Sequence, residues 1–107
     1  MAKIEWSEEA KLIFKTYIKD ARLEFGVSTA KRWQKERKDI EWSLKRFPTS
    51  YTPESLLSDR DILYRRCHIM NRRFKIIYYY DESEDTVRII DIWDTRMNPK
   101  MLVRRIK

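Results

Sequence analysis

The chain has 107 residues, of which 38% are charged and 42% apolar, and its formal net charge is +7. This composition is typical of one globular domain and excludes a disordered chain. A single cysteine, Cys67, excludes an internal disulfide, and a single glycine, Gly26, excludes a glycine-rich phosphate loop. With one histidine and one cysteine, the sequence predicts neither a metal site nor a small-molecule cofactor.

The positive charge is concentrated in the second half of the chain. Residues 1–61 carry 13 basic and 11 acidic side chains, whereas residues 62–107 carry 11 basic and 6 acidic ones. This imbalance predicts a polyanionic partner, either nucleic acid, the ribosome or an acidic protein. The alternative is a basic surface that only confers solubility. Because no apolar run approaches membrane-spanning length and no apolar leader is present, we expect a cytoplasmic protein with no membrane partner.

The first half predicts a short edge strand and two helices. Lys3–Trp6 is the strand, and Ser7 is placed to cap the first helix, whose apolar residues recur at the spacing of one buried face. Gly26 is expected to end this helix in a left-handed conformation. The second helix is predicted to begin at Ser28 and to end at Pro48. Two helices joined by so short a turn form an antiparallel hairpin.

The second half predicts three strands, Ile62–Ile69, Phe74–Tyr80 and Thr86–Trp93, with a tight turn at Met70–Arg72. Pro53–Ser58 is expected to form a short helical turn. Asn98 and Pro99 are expected to be the N-cap and first residue of a short helix or tail, Lys100–Lys107. The predicted order is β-α-α-β-β-β in a single domain over residues 1–107. This is an α+β fold in which the helical hairpin packs on one face of a small antiparallel sheet.

Charged residues within and just after the central strands predict that one sheet face is open to a polar or anionic partner. Four candidate catalytic residues are Arg66, His68, Lys75 and Arg96. If they converge, the cations would hold a scissile RNA phosphate and His68 would move a proton. The alternatives are a half-exposed strand histidine and arginines paired with Asp91 and Asp94.

Several stretches in this order resemble the RelE/ParE superfamily of bacterial type II toxin–antitoxin toxins. They are the opening IEWSEEA, the helical hairpin ending in Phe47-Pro48, the strand YRRCHI, the strand Phe74-Lys75-Ile76-Ile77-Tyr78 and the ending IIDIWDTRMNPKML. The resemblance covers nearly the whole chain. It implies a toxin that inhibits growth of the bacterium producing it, with a cognate antitoxin as partner. The acidic, amphipathic antitoxin segment is expected to bind the basic half, residues 62–107, together with the apolar flanks of the helical hairpin.

The resemblance implies ribosome-dependent mRNA cleavage as the first expectation, with inhibition of DNA gyrase as the alternative. RelE-like toxins are endoribonucleases that cleave mRNA on the ribosome, and their phosphate-contacting cations match Lys75 and Arg96. ParE-like toxins share the scaffold, lack the nuclease residues and poison DNA gyrase. The tail Lys100–Lys107 lacks the aromatic residue usual in the ribonucleases. A degenerate member that binds only its antitoxin is a third alternative. Further candidate nucleic-acid-binding residues are Arg65, Arg72, Arg73, Arg88, Arg104 and Arg105.

Overall fold

The fold is an α+β sandwich with a four-stranded sheet at its centre. The computed structural model describes residues 1–106. Its elements are β1 (Lys3–Trp6), α1 (Glu8–Phe25), α2 (Val27–Arg46), a 3₁₀ turn (Ser55–Leu57), β2 (Arg65–Ile69), β3 (Phe74–Asp81), β4 (Thr86–Asp94) and α3 (Pro99–Arg105). The strand order is β1-β4-β3-β2. The predicted fold class and element order are confirmed. The sheet is mixed rather than antiparallel, because β1 pairs with β4 in the parallel direction.

The helical hairpin forms as its capping residues predict, apart from the conformation of its turn. The Ser7 Oγ atom accepts a hydrogen bond from the Ala10 N–H at 3.1 Å, and two glutamates occupy the first turn of α1. Gly26 ends α1 with φ 95° and ψ 178°. Its φ is positive as expected, but its ψ lies outside the left-handed helical region, in an area open essentially to glycine alone. Gly26 also precedes α2, which therefore begins at Val27 rather than Ser28.

The larger core lies between the hairpin and one face of the sheet. Phe14, Trp33 and Phe74 are buried, and the Trp33 ring lies edge-on to Phe14 with centroids 5.9 Å apart and tilted against Phe74 at 4.8 Å. Leu44 of α2 and Ile76 of β3 are fully buried in the same cluster. Each such side chain contributes about 1.5–3 kcal/mol through removal from water. Aromatic and aliphatic residues at helical spacing therefore form core, as the sequence predicts.

A second, smaller core covers the opposite face of the sheet. Ile77 and Trp93 on this face pack with Leu57 of the 3₁₀ turn and with Leu102 of α3. The α3 helix begins where the sequence predicts, with the Asn98 side chain accepting from the Lys100 N–H at 3.0 Å. The expectation of a sheet face open to a polar partner is therefore wrong. The apolar residues on both faces of β3 and β4 require cover on both sides.

One loop differs from the predicted one. The strand predicted over Ile62–Ile69 begins only at Arg65, and Ile62 and Leu63 lie exposed in the preceding loop. The turn between β2 and β3 is in the predicted position, and its residues Met70, Asn71 and Arg72 all have φ between 54° and 66°. This left-handed conformation is costly for residues other than glycine. Within residues 1–106, no helix is long and apolar enough to cross a membrane.

Candidate functional site

Three of the four candidate catalytic residues meet on one face of the sheet, the face that carries the smaller core. His68 of β2 lies directly opposite Lys75 of β3, and Arg66 lies opposite Ile77. Because side chains alternate along a strand, Arg66, His68 and Lys75 point to the same side. We call these three residues the cation cluster. The two neighbouring strands thus bring together residues that the sequence places 7 to 9 positions apart.

A buried carboxylate, Glu54, neutralises part of the cation cluster. Its Oε1 atom accepts a hydrogen bond from Lys75 Nζ, and its Oε2 atom lies 3.6 Å from Arg66 Nη1. The Oε2 atom also accepts from the Leu56 N–H at 3.2 Å, which caps the 3₁₀ turn. The Glu54 side chain is 2% exposed and that of Lys75 is 11% exposed. Lys75 is therefore one half of a buried ion pair.

Backbone contacts fix Glu54 in this position. The Glu54 N–H donates to the Tyr64 oxygen at 2.8 Å, and the Arg66 N–H donates to the Thr52 oxygen at 3.0 Å. The segment before the 3₁₀ turn thus pairs with the beginning of β2. Sequence reasoning missed Glu54, because this residue lies in a loop 21 positions before Lys75. The sequence did carry one indication, because a lysine inside an otherwise apolar strand needs a counterion.

His68 sits at the solvent side of the cation cluster, where it is half-buried. Burial lowers the pKa of its imidazole, and the nearby charges of Arg72, Arg66 and Lys75 lower this pKa further, whereas Glu54 raises it. The imidazole is therefore held in its neutral form near neutral pH. A neutral imidazole is able to accept a proton.

The fourth candidate, Arg96, lies apart from the cation cluster. It follows the end of β4, its side chain is 63% exposed, and its Nη2 atom lies 3.3 Å from Asp94 Oδ2. Arg96 and Asp94 line a cavity of about 630 Å³ that Tyr17 and Trp33 of the hairpin also line. This cavity opens on the hairpin side of the sheet, opposite to Lys75. The structure therefore does not bring Arg96 to the other three candidates.

Asp91 and Arg88, two charged residues of β4, both form ion pairs within the fold. Arg105 of α3 forms an ion pair with Asp91 and lies 5.1 Å from the centroid of the Trp93 ring. Burial raises the pKa of the Asp91 carboxyl, and the charge of Arg105 opposes this change. Arg88 lies 3.1 Å from both Glu5 and Asp81. Arg88 and Arg105 of the basic half are therefore already paired with carboxylates.

The remaining candidates differ in exposure. Arg65 donates to the Tyr51 oxygen at 2.7 Å, and Arg73 lies over the Phe74 ring at 5.6 Å. Arg72 and Arg104 are exposed.

Burial raises the pKa of the Cys67 thiol to about 12, which keeps it protonated and unreactive. Among residues 1–106, no group of three or more metal-binding side chains is placed to hold a metal ion.

A groove between α1 and α2, beside Trp6 of β1, is a second candidate site. Its volume is about 520 Å³. We call it the basic groove, because apolar side chains line its floor and mostly cationic ones its edges. The floor residues are Trp6, Phe14 and Ile18, and the polar residues are Lys11, Lys15, Lys19, Arg22, Gln34, Arg37 and Glu41. The sequence assigned Phe14 and Ile18 to the buried face of α1 and Trp6 to the edge strand, and Phe14 is indeed buried. The signal for a groove was the run of lysines at every fourth position of α1.

Comparison with known proteins gives one family and several similar structures. The model of the family described as ParE toxin of the type II toxin–antitoxin system, parDE, matches residues 4–99. A metal-bound toxin from Helicobacter pylori is 17% identical, with a TM-score of 0.65 over 90% of this chain and 97% of that chain. The isolated RelE toxin of E. coli is 13% identical, with a TM-score of 0.59 over 100% of both chains.

A chromosomal ParDE toxin–antitoxin system from P. aeruginosa is also similar in structure. It is 13% identical, with a TM-score of 0.58 over 88% of this chain and 96% of that chain. At these identities the structural likeness shows the fold alone. No curated protein matches the sequence.

Proposed function

The chain belongs to the ParE toxin family of type II toxin–antitoxin systems, and from this premise we propose that it inhibits DNA gyrase by binding and does not cleave RNA. One observation carries the choice between the two mechanisms. The Glu54 carboxylate occupies Lys75 and approaches Arg66, the cations that cleavage would require. Electrostatic catalysis needs donors that are free and aimed at the charge that develops in the transition state.

The position of Arg96 supports the same conclusion. In the RelE-like mechanism that the resemblance implies, Lys75 and Arg96 contact the same mRNA. Here Arg96 lines a cavity on the hairpin side of the sheet and bonds to Asp94, whereas Lys75 faces the smaller core. Two cations on opposite faces of a sheet are poorly placed to stabilise one phosphate.

Two assays on the purified chain test this proposal together. We expect inhibition of the supercoiling activity of purified gyrase, and intact mRNA when primer extension is run on a translating extract. Arg96→Ala is the matched variant, because its side chain is exposed and its loss leaves the ion pair at Glu54 in place. Codon-phased cuts that disappear in Arg96→Ala, with supercoiling unaffected, would show that the proposal is wrong.

Ribosome-dependent mRNA cleavage is the second candidate, and the environment of His68 favours it. Its imidazole is held neutral beside Arg66 and Arg72, as a general base for the RNA 2′-hydroxyl requires. Under this mechanism His68→Gln should lower the cleavage rate by about 10²–10⁴-fold. Cleavage at the wild-type rate in His68→Gln would rule out this role.

The proposed partner in the cell is a cognate antitoxin that binds the basic groove. The similar E. coli toxin was solved in an intact RelBE toxin–antitoxin complex. An acidic amphipathic segment is complementary to the basic groove, because its apolar face would cover Trp6 and Ile18 while its carboxylates face the lysines of α1. Within the groove Lys11 pairs with Glu8 and Arg37 with Glu41, so the cations offered to such a segment are Lys15, Lys19 and Arg22.

A further inference from the structure

The cavity on the hairpin side of the sheet is a third surface with the features of a binding site. Its volume is about 630 Å³, and it lies between the tip of the helical hairpin, the turn between β2 and β3, and the end of β4. Tyr17, Trp33 and Phe74 form its aromatic walls. We call it the tip cavity. It shares no lining residue with the basic groove, so the two are separate surfaces.

The tip cavity is balanced in charge, in contrast to the chain as a whole, which carries +7. Equal numbers of arginines and carboxylates line it: Arg32, Arg73 and Arg96 against Asp20, Glu24 and Asp94. Nucleic acid and an acidic antitoxin segment each present mainly negative charge, so neither is complementary to this lining. The complement of a surface that carries both signs is another surface that carries both signs.

Charged groups of both signs in the tip cavity have no partner within the fold. Arg32 and Arg96 already pair with carboxylates. The Arg73 Nε atom, by contrast, is the one buried side-chain nitrogen or oxygen among residues 1–106 that lacks a hydrogen-bond partner. Asp20 and Glu24 are exposed, and neither forms an ion pair with the rest of these residues. The same surface therefore holds a buried donor without an acceptor, which is unfavourable, and carboxylates without a donor.

Exposed apolar residues project from the hairpin tip beside the cavity. Leu23, Phe25 and Val27 are 76%, 60% and 50% exposed. Phe25 also lines the tip cavity. Large apolar side chains grouped on a surface mark a site of protein interaction. One surface thus carries both a protruding aromatic ring and a cavity with aromatic walls.

We propose that two copies of this chain associate through their hairpin tips in a two-fold arrangement. In a two-fold interface each surface contacts the same surface of the other copy, so the surface must be complementary to itself. Phe25 of one copy enters the tip cavity of the other. The Glu24 carboxylate beside it accepts a hydrogen bond from Arg73 of the other copy, and symmetry repeats both contacts. The buried Arg73 donor gains its acceptor in this way.

Reversal of the two charges, singly and together, tests the arrangement. Sedimentation equilibrium of the full chain over a range of concentrations should show a reversible equilibrium between monomer and dimer. Glu24→Arg and Arg73→Glu should each weaken the dimer by about 10- to 100-fold, the loss expected for a charge-assisted contact. The double variant places the opposite charges in exchanged positions and should regain most of the affinity.

Two further variants separate this contact from general effects of charge and folding. Glu82→Arg reverses an exposed carboxylate in the turn between β3 and β4, and it should leave the dimer unchanged. Phe25→Ser changes a side chain that is already exposed in the single chain, so it should fold normally and weaken the dimer. Circular dichroism checks the folding. If Arg73→Glu fails to fold, Phe25→Ser and Glu24→Arg still decide the test.

The inference is overturned if the wild-type chain stays monomeric up to about 1 mM, the range of very weak association. It is also overturned if folded Phe25→Ser and Glu24→Arg associate as tightly as the wild-type chain, or if a folded double variant recovers no affinity. A monomeric chain in which only antitoxin shifts the NMR signals of the Arg73 side chain would assign the tip cavity to that partner instead.

Discussion

Arg60 binds the last turn of the chain by donating from Nε and Nη2 to the backbone oxygen of Ile106, at 3.2 and 2.8 Å. The Nη2 atom also donates to the Val103 oxygen at 2.8 Å. These oxygens lie at the C-terminal end of α3, where a helix leaves its carbonyl groups without internal partners. A loop residue thus holds α3 against the smaller core.

Arg60→Met should loosen α3 without changing the larger core. The substitution keeps a long apolar side chain and removes the donors, so we expect a loss of about 1–3 kcal/mol in the local stability of α3. Hydrogen exchange of the amides of residues 99–106 measures this loss. Arg104→Met, at an exposed position of the same helix, is the control and should leave exchange unchanged.

Lys75→Met should destabilise the fold strongly, because it leaves the Glu54 carboxylate buried without its cation. Breaking a buried ion pair from one side costs about 3–5 kcal/mol, whereas replacing both partners is often nearly neutral. Glu54→Gln combined with Lys75→Met should therefore recover most of the loss in urea unfolding. Arg96→Ala is the exposed comparison and should change the free energy of unfolding by less than about 0.5 kcal/mol. Equal effects of Lys75→Met and Arg96→Ala would contradict the buried pair.

Gly26→Ala should lower stability through the backbone alone. With φ 95° and ψ 178°, Gly26 adopts a conformation that an L side chain rarely takes, and an added Cβ atom would meet nothing within 4 Å. The expected cost is about 1–3 kcal/mol, arising from this strain and not from a clash. Thermal unfolding of Gly26→Ala measures the backbone strain at the turn. Thermal unfolding of Ala30→Gly, measured beside it, gives the effect of a simple loss of helix propensity. An unchanged melting temperature in Gly26→Ala would contradict the conformation.

Lys15→Glu should weaken antitoxin binding if the basic groove is the docking site. Lys15 is an exposed residue that lines this groove, so its reversal places a negative charge opposite an acidic partner. We expect a slower association rate and a weaker dependence of that rate on salt. Lys100→Glu makes the same charge change at the start of α3, away from the groove, and is the control. Equal losses in both variants would indicate a general charge effect instead.

His68 should make stability depend on pH below its ordinary pKa of 6.5. Because the pKa of His68 is lowered in the folded state, the unfolded chain binds the proton more readily as pH falls. Stability is thus full above about pH 7.5 and declines as pH falls through 6.5 towards the lowered pKa. In His68→Gln this part of the decline should be absent. Urea unfolding of both chains across this pH range measures the difference, and parallel curves would contradict it.

The elements of the fold were predictable because each depends on residues close together in sequence. The Ser7 and Asn98 caps, the helical spacing of the hairpin and the strand runs of β3 and β4 are local signals. Apolar residues on both faces of the central strands also indicated that the second face of the sheet would be covered. Lys75 obscured that signal, since an unpaired charge in a strand suggests exposure. Its partner Glu54 comes from a distant loop.

The candidate site was predictable only in part, for the same reason. Alternation along β2 and pairing with β3 place Arg66, His68 and Lys75 together, and both follow from strand assignment. The position of Arg96 depends on how the chain turns after Asp94, which no periodic pattern describes. The basic groove requires the crossing of α1 over α2, so its apolar floor could not be distinguished from core in the sequence.

The parallel pairing of β1 with β4 has a consequence for synthesis of the protein. Lys3 pairs with Thr86 and Trp6 with Ile89, so the first strand completes the sheet only after the last strand exists. Contacts between such distant positions carry a large loop-closure entropy and slow the folding of a chain. A nascent chain still attached to the ribosome therefore lacks a finished sheet until nearly all of it has been translated.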